Sequence, residues 1–218
     1  MDDDLTKDKV NDAAAREIFD LLETKGVMIC EDLHFLVLVA LTVEYRSTKW
    51  QHRSYDALRL ALQINKNADN PVNPEQLSAA SLAHDFAMGF LPSELINKTG
   101  KLNGKERKLM QTHITAAADL IHRLRKWEDA RKMILAHHEH IDGKGYPKQL
   151  SDFEICDGAK ILSIVDAFTA QGQGNLMHGV MEINRHSGSQ FSEFWLEHFN
   201  TAVKQIHQAG SKTLASQD

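Results

Sequence analysis

The sequence predicts an all-α protein, and three observations carry the prediction. Apolar residues recur at three- and four-residue spacing through most of the chain. Strand-like alternation never runs beyond a few residues. Turn formers such as Asn70-Pro71, Asn73-Pro74, Gly100 and Gly104 fall between the periodic stretches. With 218 residues, 42% of them hydrophobic, the chain can build one substantial helical domain or one domain with an appendage.

The elements follow in order. Residues 1–8 are charged and read as frayed, and a first helix is expected over Asn11–Leu22, stopping near Gly26. A second, Asp32–Arg46, is apolar nearly all round and is predicted to be deeply buried, with His34 a boundary histidine rather than a ligand. A third pattern runs from His52 to Ile64, and a fourth over 75–88 carries His84-Asp85 near its end. A loop with one short helical turn is expected over Gly89–Gly104. Long helices follow from Lys105 to Arg125 and from Trp127 onward, then over Asp157–Ala170, Met177–Arg185 and Ser192–Gln208.

Composition narrows the function. A net charge of −5 argues against binding a nucleic-acid polymer. Cys30 and Cys156 lack CxxC spacing, which fits reduced thiols in a cytoplasm. The start Met1-Asp2-Asp3-Asp4 has the wrong charge for a signal peptide, and the apolar run Phe35–Val43 is too short for a membrane span.

One stretch concentrates the chemistry: His137-His138-Glu139-His140-Ile141-Asp142-Gly143-Lys144-Gly145-Tyr146-Pro147. Imidazoles and carboxylates together suit Fe, Mn or Zn. Neighbouring residues on a regular helix face apart, so His137 and His138 share a metal only at a relaxed helix end, which the glycines and Pro147 allow. Alone, this stretch reads equally as a His-rich helix terminus followed by an ordinary turn. The wider set tips the balance. His52, His84, Asp85, His113, His137, His138 and Asp166 lie mostly on apolar stretches, where an unpaired charge costs several kcal/mol, on the order of a buried ion's penalty. Asp166, inside Ile-Leu-Ser-Ile-Val-Asp-Ala-Phe, needs a cation most clearly.

In this order and spacing the residues resemble the HD-GYP family, a branch of the HD-domain metal-dependent phosphohydrolases. The likeness runs from about Ser47 to Gln208 and is carried by His52, His84-Asp85, Gly100-Lys101-Leu102, His113, the HHExxDGxGYP stretch, Asp166 and Ser187–Phe191. It implies an HD-domain-like helical bundle with a metal centre in its core. It also implies residues 1–46 as N-terminal helices packed on the bundle, 47–208 as the domain, and 209–218 as a disordered tail. By the same resemblance Asp85 bridges two divalent ions, Fe or Mn with Zn as the alternative. His52, His84 and Asp166 would hold one ion and His113, His137 and His138 the other, with His84 and Asp85 central to catalysis. Thr48 stands where three-metal members carry a glutamate, so two ions are expected. Glu139 is expected to orient a ligating histidine rather than to ligate.

The chain departs from the family on the substrate side. Phe86-Ala87-Met88 follows the HD pair where the family has Ile-Gly-Lys, and Asn175 and His178 stand at two basic positions. Lys101 and Lys144 are the candidate replacements, so Lys101, Lys144, Asn175 and His178 form the expected substrate-binding set. The resemblance implies hydrolysis of cyclic di-GMP, or a related cyclic dinucleotide, to the linear form, with a weakened substrate site. Two alternatives stand beside it. One is a weak or inactive module that binds a nucleotide or a GGDEF-type protein through the Asp142, Gly143, Gly145, Tyr146, Pro147 loop. The other is hydrolysis of another phosphate ester, such as a nucleotide monophosphate or a linear dinucleotide.

Overall fold

The computed structural model describes residues 3–47, 50–170 and 176–215, with side chains described for 13–47, 50–170 and 176–209. Among them the chain forms helices α1 (Asp3–Thr24), α2 (Glu31–Glu44), α3 (Arg53–Asn67), α4 (Pro74–Ala83) and α5 (Ser93–Ile96). After these come α6 (Gly104–His122), α7 (Glu128–Ala136), α8 (Asp157–Thr169), α9 (Leu176–Asn184) and α10 (Glu193–Ala215). No strand forms among the described residues, where only isolated bridges pair Asp142 with Ser151 and Ser187 with Phe191. The all-α expectation holds.

Local sequence explains where the helices begin. Asn73 accepts from the Gln76 amide at 3.1 Å, and Pro74 starts α4, where its missing N–H has no helical partner to lose. Asn103 and Glu106 form a reciprocal capping box that starts α6, with bonds of 2.8–3.0 Å. In α3 the residues Ala57, Leu58, Leu60, Ala61, Leu62 and Ile64 turn inward, and the helix packs against α4, α8 and α10. On the far side α7 packs on α4, α6 and α8, so the centre of the molecule is where α3, α4, α6, α7 and α8 meet. Trp127 and Trp195 are fully buried, and their indole N–H groups reach Asp32 at 2.9 Å and Asp157 at 3.2 Å.

Four expectations change, the first being that α1 begins at Asp3, within the residues read as frayed, rather than at Asn11. Helix α2 is not buried all round: Phe35, Leu38 and Tyr45 are about half exposed, because its neighbours α1, α3 and α4 cover only the opposite face. Helix α4 stops at Ala83 rather than 88, and His84-Asp85 forms a corner before a 3-10 turn, Phe86–Phe90. Residues 209–215, read from sequence as tail, continue α10 as far as Ala215. No helix among the described residues is long and apolar enough to cross a membrane.

Candidate metal centre

Four of the five central helices bring six of the seven predicted ligands together. His84 caps α4 and Asp85 follows at the corner; His113 lies mid-way along α6; His137 and His138 follow the last turn of α7; Asp166 sits in α8. The side chains fall into two triplets, His113–His137–His138 and His84–Asp85–Asp166. Within each, one donor atom per residue lies within 4.8 Å of the others. The triplets touch. The rings of His84 and His137 are 5.5 Å apart edge to face, and His138 Nε2 is 3.9 Å from Asp166 Oδ2.

His137 and His138 can both enter because α7 has already ended. His137 is its C-cap, the Glu139 amide closes a tight turn on Ala136 O at 2.9 Å, and the two rings lie 4.0 Å apart. Three of the histidines are prepared in the same way. Nδ1 of His84, His113 and His137 bonds the backbone carbonyl three residues earlier, at 2.9, 2.7 and 2.7 Å. A carbonyl only accepts, so Nδ1 carries the proton and Nε2 the lone pair. All three Nε2 atoms are buried; those of His113 and His137 have no protein partner, whereas that of His84 lies 3.4 Å from Asp85 Oδ2 and 3.6 Å from Asp166 Oδ1. Buried polar atoms seldom go unpaired, and the free lone pairs of His113 and His137, with His138 beside them, suit a cation. The donor set therefore fits a divalent metal at the triple-histidine end.

The acidic end differs. Here Arg53, the first residue of α3, reaches in: Nη1 is 3.1 Å from Asp85 Oδ2, and Nη2 bonds Asp166 Oδ1. The guanidinium is almost buried, at 13% side-chain exposure, and lies 6.0 Å from the centre of the Trp50 ring. His52, the expected seventh ligand, stands outside both triplets. It is exposed and precedes α3 in a left-handed conformation with φ 60°. The physical reason is a one-residue offset. Where α3 begins, position 53 faces the centre and position 52 faces away, so the inward group is a cation instead of a ligand.

The electrostatics follow this division. Burial pushes His137 well below the usual imidazole range, and the neighbouring His138 pushes it the same way. Burial takes His138 down to about 4 against the pull of Asp166. Burial also disfavours ionised Asp85 and Asp166, but Arg53 and His84 outweigh it, so both carboxyls titrate below their usual range. His84 is opposed by burial and raised overall by Asp85 and Asp166. One end thus holds three imidazoles, two of them kept neutral by burial, and the other a pair of carboxylates beside a fixed cation.

The remaining candidates are less central. Glu139 is 98% buried, yet its carboxylate accepts from the amides of Lys148 at 2.6 Å and Leu150 at 3.0 Å. It therefore ties down the Gly-Tyr-Pro loop instead of orienting a histidine. Gly145 in that loop cannot be another residue, since a Cβ there would lie 2.3 Å from His140 N and 2.4 Å from Glu139 Cα. Tyr146 stacks on His138 with ring centres 4.9 Å apart, while Pro147 faces solvent. Burial, then Asp166 and Asp85, raise the Tyr146 phenol to about 12. The tyrosine, expected as an interaction residue, thus lies against the centre. Asp142 bonds the amide of Lys144 and pairs with its ammonium, both at 3.0 Å; Gly143 takes φ 74° in the same turn. Lys144 is therefore an exposed loop lysine, and Lys101 and His178 are also exposed. Asn175 and Thr48 lie outside the described residues.

Sequence reasoning missed Arg53 because attention fell on the histidine before it. The available signal was register: taking Ala57, Leu58, Ala61 and Ile64 as the inward face of α3 points position 53, and not 52, the same way.

This bundle, with its His-Asp pair at the end of one helix and an aspartate on another, defines a class. The chain belongs to the HD domain family, which matches residues 38–183. The HD-GYP resemblance is borne out by the relatives. The chain is 31% identical over 100 residues to the 3'3'-cGAMP-specific phosphodiesterase 2 of Vibrio cholerae, covering 45% of this chain and 19% of that protein. It is 27% identical over 192 residues to the cyclic di-GMP phosphodiesterase of Thermotoga maritima, covering 81% of this chain and 51% of that one. Among solved structures, an HDG"Y"P protein from Bdellovibrio bacteriovorus superposes with a TM-score of 0.62 at 13% identity, over 89% of this chain and 70% of that one. That likeness is one of fold. The chain spans 19% to 36% of the length of the three V. cholerae cGAMP phosphodiesterases it matches.

Proposed function

We propose that this chain is a metal-dependent phosphodiesterase acting on a cyclic dinucleotide, cyclic di-GMP or 3'3'-cGAMP. The observation that carries the reading is the pair of buried, unpaired Nε2 atoms of His113 and His137, each ring fixed by an Nδ1–H bond to a backbone carbonyl. The substrate class comes from the names of the relatives. His113, His137 and His138 would hold the ion, and imidazole donors suit Fe, Mn or Zn. Lewis-acid activation of water and of a phosphodiester is the chemistry such an ion supplies when bound.

The chain's own residues prepare that chemistry. Burial keeps His137 and His138 neutral, so their lone pairs stay available near pH 7. Asp85, between the triplets, stays ionised and can accept a hydrogen bond from a water or order a second donor. The Tyr146 hydroxyl, raised to about 12, keeps its proton at working pH and is a donor for a phosphate oxygen beside His138. Both cysteines are free thiols, which supports a reducing, cytoplasmic setting.

A second reading has its own observation. The Gly-Tyr-Pro loop is held rigid from beneath by Glu139 and Gly145, while Lys144, Pro147, Lys148 and Gln149 present outward. A preformed surface of this kind suits a docking role toward a GGDEF-type protein, independent of turnover. The test is purified protein loaded with Mn(II) or Fe(II) and offered cyclic di-GMP, 3'3'-cGAMP, linear dinucleotide and nucleotide monophosphate. Linear product from a cyclic dinucleotide supports the enzyme. Metal-loaded protein that turns over none of the panel overturns it in favour of the docking module.

A further inference from the structure

We propose that Arg53 acts as a built-in cation in place of one of the two metal ions, so that the centre takes a single ion at the triple-histidine end. The inference rests on the metal-dependent reading above. Three observations argue it. First, the guanidinium spans the two carboxylates that a second ion would need, bonding Asp85 with one nitrogen and Asp166 with the other. Second, the arginine is enclosed, with Trp50 beside it and Glu44 adding a third carboxylate to its field. A guanidinium stays charged in proteins, so it cannot yield its place by losing a proton as a lysine can. Third, the residue that would complete the acidic site, His52, is turned to solvent, leaving His84 as its sole imidazole.

Charge leads to the same result. The two carboxylates match the charge of one divalent ion. With Arg53 already paired, one net negative charge remains, and an incoming dication meets a fixed positive charge. The triple-histidine end carries no such obstacle. Donor supply and repulsion therefore act together to leave the two ends unequal.

Metal counting tests this directly. Protein purified without oxygen and titrated with Mn(II) should bind one equivalent tightly, with the electron paramagnetic resonance spectrum of an isolated Mn(II) ion. In R53H an imidazole replaces the cation, and a second equivalent should bind, with the broadened spectrum of two coupled ions. R53A removes the cation without adding a donor and should bind the second ion at least about 10-fold more weakly than R53H, in keeping with the loss of one ligand's support. Two tight equivalents in the wild type overturn the inference and leave the metal-dependent reading standing. A folded wild type that binds no Mn(II), Fe(II) or Zn(II) overturns that reading itself. R53H and R53A that both fold and still bind a single ion also overturn the inference, because removing the cation has then opened nothing.

Discussion

The two ends of the centre are built from similar residues and lead to different chemistry. At one end, burial keeps His137 and His138 neutral, and His113 and His137 have Nδ1 tied to backbone carbonyls. At the other, Asp85 and Asp166 are ionised and already paired with Arg53. On the proposed single-ion reading, ligand type alone does not make a metal site. What counts is whether the donors reach the centre with their charge uncompensated. A buried carboxylate needs a cation, but a side chain satisfies that need as well as an ion does.

The comparison is open to direct attack. The largest effect is expected at the neutral end: His137→Ala should weaken Mn(II) binding by at least about 100-fold, above what loss of an outer hydrogen bond typically costs, as read by calorimetry. His84→Ala, at the paired end, should change the same constant only a few-fold. Equal losses would erase the distinction between the ends.

Acid should separate the ends in the metal-free protein. His137 and His138 titrate below the free imidazole value in the folded state. The unfolded chain therefore binds more protons as pH falls below 6.5, and stability declines. Between 6.5 and about 4, His138 alone contributes a loss on the order of 3 kcal/mol. His84, raised in the fold, has the opposite sign: its contribution is complete below 6.5 and is lost as pH rises through its folded value. Asp85 and Asp166 titrate lower in the fold than when unfolded, so their stabilisation is lost only below the usual carboxyl range. Urea midpoints of metal-free protein should thus fall from pH 6.5 to 4. A flat profile would mean that the histidines are not held neutral.

Glu139→Gln leaves one amide oxygen for two backbone donors and should cost about 1–3 kcal/mol of stability by urea unfolding. Met88→Lys, on the 3-10 turn after the His-Asp corner, restores a cation where the substrate phosphate is expected. It should lower KM for cyclic di-GMP by at least about 10-fold, the equivalent of one charge-assisted contact of about 1.5 kcal/mol. The smallest effect belongs to His52→Asn, which suits the left-handed backbone and should leave metal content unchanged.

Much of this was legible in the sequence. The helical periods gave the bundle, and six of the seven polar residues singled out on apolar stretches do converge. Asp166 stood out because a carboxylate among Ile161, Leu162, Ile164 and Val165 has no other use. Three things were not legible, each for a physical reason. The start of α3 after a left-handed residue rotates position 53 into the place expected for 52, and a linear pattern does not reveal a turn of that kind. The α4 corner after Ala83 contains no proline or glycine to announce it. Glu139 reads like a ligand's neighbour along the chain, whereas its partners lie nine and eleven residues away across a loop whose shape only the fold supplies.

The lack of room at Gly145 has a mechanical consequence. With less than the space of a methyl group between it and the backbone of Glu139 and His140, the loop cannot slide over the end of α7. Tyr146 is anchored to the His138 carbonyl by its own amide at 3.0 Å and lies flat on that ring. The outer surface at Pro147 and the imidazole of His138 therefore belong to one stiff body. A push on the exposed side of the loop would reach the centre as a tilt of an imidazole, with no soft segment between them to absorb it.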